Sequence, residues 1–188
     1  LPSPATRTPR PLPSPRMSVT RTASYQATID TTCGRIVVDL DAKAAPHAVN
    51  SFRYLATSGF YDDTVCHRLT TASEGLSVLQ CGDPTGTGSG GPGYHFSVEN
   101  APRDGRYPAG TLAMARATSP DSNGSQFFLT YADSTIPSPD GYTVFGHVRE
   151  GLDLLRRIGR AGVDPGNPPR PRVPVGITSV SVTEEDGS

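Results

Sequence analysis

The chain has 188 residues, 35% of them hydrophobic and 19% charged, which is enough apolar matter for one sizeable core. Its 17 basic and 18 acidic side chains nearly cancel, so no electrostatic argument favours nucleic acid, an anionic membrane surface or an acidic substrate as partner. No window approaches the roughly 18 consecutive apolar residues of a membrane span, and the expectation is a soluble cytoplasmic monomer with no membrane partner, exported only if a leader precedes Leu1.

Residues 1–16 alternate Pro with Ser, Thr and Arg and hold little to bury, so a Pro-rich tail over 1–22 is expected to be extended or disordered. Met17 is a candidate translation start. Lys43 is the one Lys among many Arg, a bias common in GC-rich and most often bacterial genomes. The globular domain is placed at 23–184, with a short tail at 185–188. Within it, YQATID and RIVVDL flank a turn at 31–34 and predict a β-hairpin. Pro46 at a first helical position, apolar Val49, Phe52, Leu55 and Ala56 at helical spacing, and Gly59 as a stop predict a helix over 46–58.

Strand character returns at 64–70 and 76–81, separated by a polar excursion. The run GDPTGTGSGGPG that follows holds too much Gly and Pro for helix or strand. Residues 112–115 and 126–129 read as two strands joined by a wide turn through Ser119, Pro120, Asp121, Ser122, Asn123 and Gly124. Small Ala113 and Ala115 beside large Met114 and Phe128 predict a shallow apolar dent if Met114 and Phe128 point to one side. A strand over 142–148, a short helix over 150–160 with Leu152, Leu155 and Ile158 on one face, a Pro-rich excursion and a last strand over 175–182 complete the chain. Many strands, two isolated helices and frequent turns argue a mainly β fold, an antiparallel sheet closed or nearly closed into a barrel with helices over its ends.

Several motifs exclude chemistry. Gly86-Thr87-Gly88-Ser89-Gly90-Gly91 satisfies a dinucleotide spacing, but Pro92-Gly93 and a strand follow where a helix must begin. No G-x-S-x-G elbow exists, and adjacent Cys66 and His67 point to opposite faces of one strand. His47, His67, His95 and His147 lack metal-ligand spacing, so no metal and no cofactor is expected. Cys33, Cys66 and Cys81 are an odd set without framework spacing and are expected as free thiols, although a fold-back between residues 66 and 81 leaves a bridge geometrically open. Arg68 and Gln80 stand out: each sits in an otherwise apolar strand, and a barrel surface would bring them together beside Phe128. A guanidinium beside an apolar dent is costly unless it is paired or has a task.

The motifs HRL at 67–69, QCGDPTGTGSGGPGY at 80–94, YPAGTLAMA at 107–115, NGSQFF at 123–128 and VFGHV at 144–148 resemble, in order and over most of the chain, the cyclophilins, peptidyl-prolyl cis/trans isomerases. The resemblance implies a closed eight-stranded antiparallel β-barrel capped by two α-helices. It implies rotation about X–Pro bonds in proline-containing peptides and in unfolded or partly folded proteins, or, as the alternative, a proline-peptide binding module with little turnover. It implies Arg68 as the donor to the twisting amide, Gln80 as its orienting partner, and Phe128 with Met114 as the floor of a proline pocket. Ala115 and Arg116 would pair through their backbones with an extended substrate, and Gln126 would line the same groove. Three positions depart from the family pattern. Leu76, Ser77 and Val78 stand where a second pocket Phe is usual, Tyr142 stands where many members have His, and Ser138 or Pro139 stands at the position of a cyclosporin-binding Trp. Weak cyclosporin binding is the expectation, and docking of the Pro-rich tail in its own or a neighbour's groove is a further possibility.

Overall fold

A computed structural model describes residues 10–167 and 169–185. Eleven strands and two helices follow one another as β1 (Ser24–Thr31), β2 (Gly34–Leu40), α1 (Pro46–Thr57), β3 (Thr64–Val65), β4 (Arg68–Leu69), β5 (Val78–Cys81), β6 (Arg106–Tyr107), β7 (Thr111–Met114), β8 (Phe127–Thr130), β9 (Ser134–Thr135), β10 (Val144–Glu150), α2 (Leu152–Ala161) and β11 (Gly176–Glu185). Nine of the strands form one antiparallel sheet in the order β3-β11-β1-β2-β10-β7-β8-β5-β4, and β6 pairs with β9 outside it. The two ends of that order, β3 and β4, are separated in the chain by Cys66 and His67 alone. One interrupted strand therefore joins both edges, and the nine ladder segments amount to the expected eight strands curled on themselves. Closure of this kind removes the exposed edges that invite aggregation.

The two-residue period sorts side chains between inside and outside. Leu112, Met114, Phe127, Leu129, Leu79 and Leu69 all point into the main core, each 1% exposed or less. Helix α1 covers one opening with Val49, Phe52 and Leu55, and the Phe52 ring meets Tyr61, Phe127 and Phe145 at centroid distances of 5.1 to 5.5 Å. Burial of a ring this size contributes about 1.5–3 kcal/mol. The helix begins at Pro46 without a side-chain cap of its own; Glu99 supplies one from a distant loop, its Oε1 accepting the Ala48 N–H at 2.8 Å. Burial raises the Glu99 pKa, and the Ala48 N–H and nearby His47 oppose that rise. Helix α2 buries Leu154, Leu155, Ile158 and Gly159, so its inner face is wider than the expected Leu152-Leu155-Ile158 stripe. A Cβ on Gly159 would lie 2.4 Å from the Tyr131 ring, so only Gly lets helix and ring meet.

Three expectations are corrected. Residues 10–22 are not a free tail: Leu12 donates its N–H to Pro92 O at 2.8 Å, Val19 is buried, and Asn50 of α1 accepts from Ser18 N at 2.8 Å while donating to Arg16 O at 3.0 Å. Backbone hydrogen bonds and two apolar plugs hold what composition alone marks as disordered, and the part of the tail at 1–9 lies outside the described residues. Cys66 and Cys81 form a disulfide, with Cα atoms 4.0 Å apart, and only Cys33 is free among the described cysteines. The break between β3 and β4 lets Cys66 lean across to β5, a tertiary approach that sequence spacing does not encode. The possible C-terminal tail is shortened as well, because β11 runs to Glu185 and 186–188 lie outside the described residues.

Candidate active site

Strand register assembles the site. Val144 of β10 faces Ala113 of β7, Ala113 faces Phe128 of β8, Phe128 faces Gln80 of β5, and Gln80 faces Arg68 of β4. Directly opposed residues in antiparallel strands share a face. These five therefore stand in one row across five strands, on the outer surface of the barrel. The row brings the predicted trio of Arg68, Gln80 and Phe128 together from three strands.

Its apolar end is a small second core. Val78, Tyr107, Ala113, Phe128 and Val144 are buried there, with Leu76, Ala115, Ile136 and Tyr142 partly buried against them. Three rings meet edge to face, Phe128 with Tyr107 at 5.9 Å and with Tyr142 at 5.8 Å, and Tyr107 with Tyr142 at 6.3 Å. Such aromatic contacts add about 0.5–1.5 kcal/mol each beyond area burial. Tyr107 also accepts the Tyr142 N–H on its hydroxyl at 2.9 Å, and burial raises its pKa. Ala113 is fully buried beside Phe128, and the partly exposed Leu76, Ala115, Ile136 and Tyr142 form the outer rim of this apolar patch.

Its polar end is a directed relay. Arg68 Nη1 donates to Gln80 Oε1 at 3.4 Å, Gln80 Nε2 donates to Gln126 Oε1 at 2.9 Å, and Gln126 Nε2 donates to the carbonyls of Gly88 and Gly90, each at 2.9 Å. Each amide is fixed in one orientation by the next, and hydrogen bonds in series polarise one another. The relay ends on the glycine-rich loop, which is organised by Asp83 rather than by a nucleotide. Asp83 accepts from Thr85 N and Oγ1, Thr87 N and Gly88 N. Burial works to raise its pKa, but the Thr85 hydroxyl and the surrounding backbone N–H groups outweigh burial and hold it low. A Cβ on Gly90 would sit 2.0 Å from Asp83 Oδ1, so Gly is required where the loop closes over the carboxylate. Between this loop and residues 115–117 lies a depression of about 660 Å³ that includes Gln80, Gln126 and His95.

The remaining predicted residues divide. Ala115 and Arg116 border the depression as expected. Pro139 is exposed and, with Arg116, Ser138 and Tyr142, lines a shallower hollow beside it. Met114 does not share a side with Phe128: it opposes Phe127 in the β7–β8 ladder and points into the barrel, 1% exposed. Ser77 is also withdrawn from the groove, buried with its N–H donated to Ser134 Oγ at 2.9 Å, so of these three residues only Leu76 and Val78 join the outer apolar cluster. Tyr107, Val144 and Ile136, unlike Ala113, are not singled out by the sequence. Tyr107 opens the YPAGTLAMA motif and Val144 the VFGHV motif, and those positions were the available signals.

A family profile described as cyclophilin type peptidyl-prolyl cis-trans isomerase/CLD matches residues 26–182. The chain belongs to the cyclophilins. Among curated relatives, this cyclophilin is 45% identical over 186 residues to the probable peptidyl-prolyl cis-trans isomerase B of Mycobacterium tuberculosis, covering 91% of this chain and 59% of that protein. It is 39% identical over 162 residues to peptidyl-prolyl cis-trans isomerase-like 1 of Neurospora crassa, covering 84% of this chain and 94% of the relative. A crystal structure of a Cryptosporidium parvum cyclophilin type isomerase superposes with a TM-score of 0.72 at 30% identity, over 87% of this cyclophilin and 99% of that chain. The same Cryptosporidium protein solved in the presence of the dipeptide Ala-Pro gives 0.71 at 32% identity, over 85% and 99%. The chain spans about 59% of the length of the mycobacterial relatives it matches.

Proposed function

We propose that this cyclophilin accelerates cis/trans rotation about X–Pro bonds in peptides and in unfolded or partly folded proteins. The uncatalysed barrier is about 20 kcal/mol, and exchange takes tens to hundreds of seconds. No bond is made or broken. As the amide twists, the proline nitrogen leaves conjugation and gains a lone pair, so a donor aimed at it stabilises the transition state more than either planar ground state. Arg68 is that donor, and Gln80, itself fixed by Gln126, holds the guanidinium in place. The proline ring packs on the apolar patch beside Phe128, against its partly exposed members Leu76 and Tyr142. The backbone at Ala115 and Arg116 borders the groove where an extended peptide would pair as an added strand.

The observation that carries this reading is the row Arg68–Gln80–Phe128–Ala113, which sets a cation beside an apolar patch on one outer face. A protease-coupled isomerisation assay on an Ala-Pro peptide tests it. Arg68→Ala should lower kcat/KM about a hundred- to a thousandfold, the scale of losing one aimed donor. Peptide binding by wild type with no measurable rate would instead identify a proline-binding module, a reading motivated by the aliphatic wall at Leu76 and Val78. Weak cyclosporin binding belongs to the same proposal, since the chain has no Trp and Ser138 and Pro139 occupy that rim. An inhibition titration as tight as that of Trp-containing members would sink it. The chain works as a monomer in this reading. The Cys66–Cys81 bridge supports the exported alternative over the cytoplasmic one, because such bonds persist in oxidising compartments.

A further inference from the structure

The groove continues past Arg68. On its far side lies a second depression of about 380 Å³, lined among others by His67, Arg68, Gln80, Gly88, Asn167 and Arg170. Two guanidinium groups share its wall. Arg68 makes one long hydrogen bond, to Gln80 at 3.4 Å, and Arg170 makes one, from Nη2 to Gly86 O at 2.9 Å. Neither is in an ion pair among the described residues, where Arg35, Arg149 and Arg156 hold the ion pairs. The carboxylate of Asp83, near His67, is already committed to the hydroxyl and backbone N–H groups of its own loop. Counting it in full still leaves two cationic charges facing one anionic charge.

The third wall is His67, which is 6% exposed with both ring nitrogens lacking a hydrogen-bond partner. A buried polar group without a partner costs about 1–3 kcal/mol, which marks a place where an incoming polar group gains more than it loses. Burial first, and then the positive charges of Arg170 and Arg68, outweigh nearby Asp83 and lower the His67 pKa, so the ring is neutral at pH 7 and offers one donor and one acceptor.

We propose that this depression is a specificity subsite for an anionic side chain of the substrate, carried within a few residues of the isomerised proline and held chiefly by Arg170 with Asn167 and His67 at its sides. Arg68 stands on the boundary and serves both the twisting amide and the subsite. The nearly neutral whole molecule does not contradict this, because selectivity here follows from local charge in a partly dry depression rather than from net charge. A carboxylate of Asp or Glu and a phosphoryl ester of Ser present the same acceptor chemistry.

The inference rests on the isomerase reading, and its test separates the two. Peptides centred on Ala-Pro, with each flanking position in turn set to Ala, Glu, phosphoserine or Lys, are assayed with wild type, Arg170→Gln and Arg170→Glu. At one flanking position Glu or phosphoserine should raise kcat/KM over Ala about five- to tenfold at low salt, and Lys should lower it. A Glu preference identifies a carboxylate site, and a preference confined to phosphoserine identifies a phosphoryl site. The anionic-to-Ala ratio should fall close to one in Arg170→Gln and in high salt, and Arg170→Glu should reverse the preference toward Lys. Because the readout is a ratio, a general loss of fold or rate leaves it interpretable. If wild type turns over no peptide, the isomerase reading fails, and the same ratios taken from binding titrations still judge the subsite. An anionic-to-Ala ratio of one at every position, or one unchanged in both Arg170 variants, overturns it.

Discussion

Arg116 does more than its backbone requires. Its Nε donates to Gly141 O at 2.9 Å, its Nη1 to Ala117 O and Thr118 O at 2.9 and 3.0 Å, and its Nη2 to Ser138 Oγ at 2.9 Å. The guanidinium also lies 4.9 Å from the Tyr142 ring centroid. One planar fork thus ties residues 116–118 to residues 138–142 and fixes Tyr142 against Phe128. Lys, a point charge on a flexible stem, cannot reproduce that pattern. Arg116→Ala should raise KM about three- to tenfold with little change in kcat, the signature of lost uniform binding, and Arg116→Lys should recover little of it. Unchanged kinetics in Arg116→Ala would remove the latch. Sequence offered no route to it, since Gly141 and Ser138 lie 25 and 22 residues away and meet Arg116 only through tertiary structure. His67 yields a second expectation at this scale. Its native pKa lies below the ordinary value of 6.5, so between the two values the unfolded chain binds a proton that the native state does not. Its contribution is complete above pH 6.5 and is lost as pH falls through that window. Denaturant midpoints measured below pH 6.5 should therefore decline less steeply in His67→Gln than in wild type.

At the scale of the element, β4 and β5 carry both the site and its brace. The disulfide joins Cys66, two residues before Arg68, to Cys81, one residue after Gln80, across a sequence separation of 15. Closing a loop of that size stabilises by about 3 kcal/mol through the entropy removed from the unfolded chain. Cys66→Ala with Cys81→Ala should lower the melting temperature by about 6–12 °C, and dithiol reduction of the wild type should move it toward the variant. A melting temperature unmoved by both treatments would show the bridge to be idle. Strand positions were largely legible, because alternation and β-branched runs are local signals: β1, β2, β7, β8 and β10 fall within a few residues of their predicted places. Facing was not. The chain between β7 and β8 is long and irregular, so nothing in it dictates that Ala113 rather than Met114 should oppose Phe128, and a slip of one residue exchanges the two faces. The pair β6 and β9 escaped notice because two-residue strands carry no period.

Over the whole molecule, the segment from Arg10 to Val19 straps the barrel. It crosses Pro92 and Gly93, where Pro11 packs against the Gly93 backbone, and reaches Asn50 of α1. Its described part docks there, with Pro11 at the Gly93 edge of the 660 Å³ depression and away from the Arg68 row, while residues 1–9 lie outside the described residues. Deleting residues 1–19 should cost about 2 kcal/mol, from the burial of Val19 and Leu12 and the hydrogen bonds to Asn50. The melting temperature should fall by about 4–8 °C, while kcat/KM on a short Ala-Pro peptide stays within about twofold, because the strap touches none of the Arg68 row. A collapse of turnover without a loss of stability would place the strap in the site instead. Fold class was readable from sequence at this scale because strand count and helix isolation are sums over many local signals. The strap was not, since its two anchors gain meaning only from the surfaces they meet.

On β7 and β8, neighbouring residues serve different masters: Met114 and Phe127 face the inner core, Ala113 and Phe128 the outer cluster. Selection for heat tolerance and selection for a new client peptide therefore act on interleaved but separate sets of positions within the same few residues. The outer set, Leu76, Val78, Ala113, Phe128 and Tyr142, can drift toward another substrate while the inner set keeps the barrel folded, and the interior can be refilled without altering what the groove accepts. A chain arranged in this way can acquire new specificities without first losing its shape.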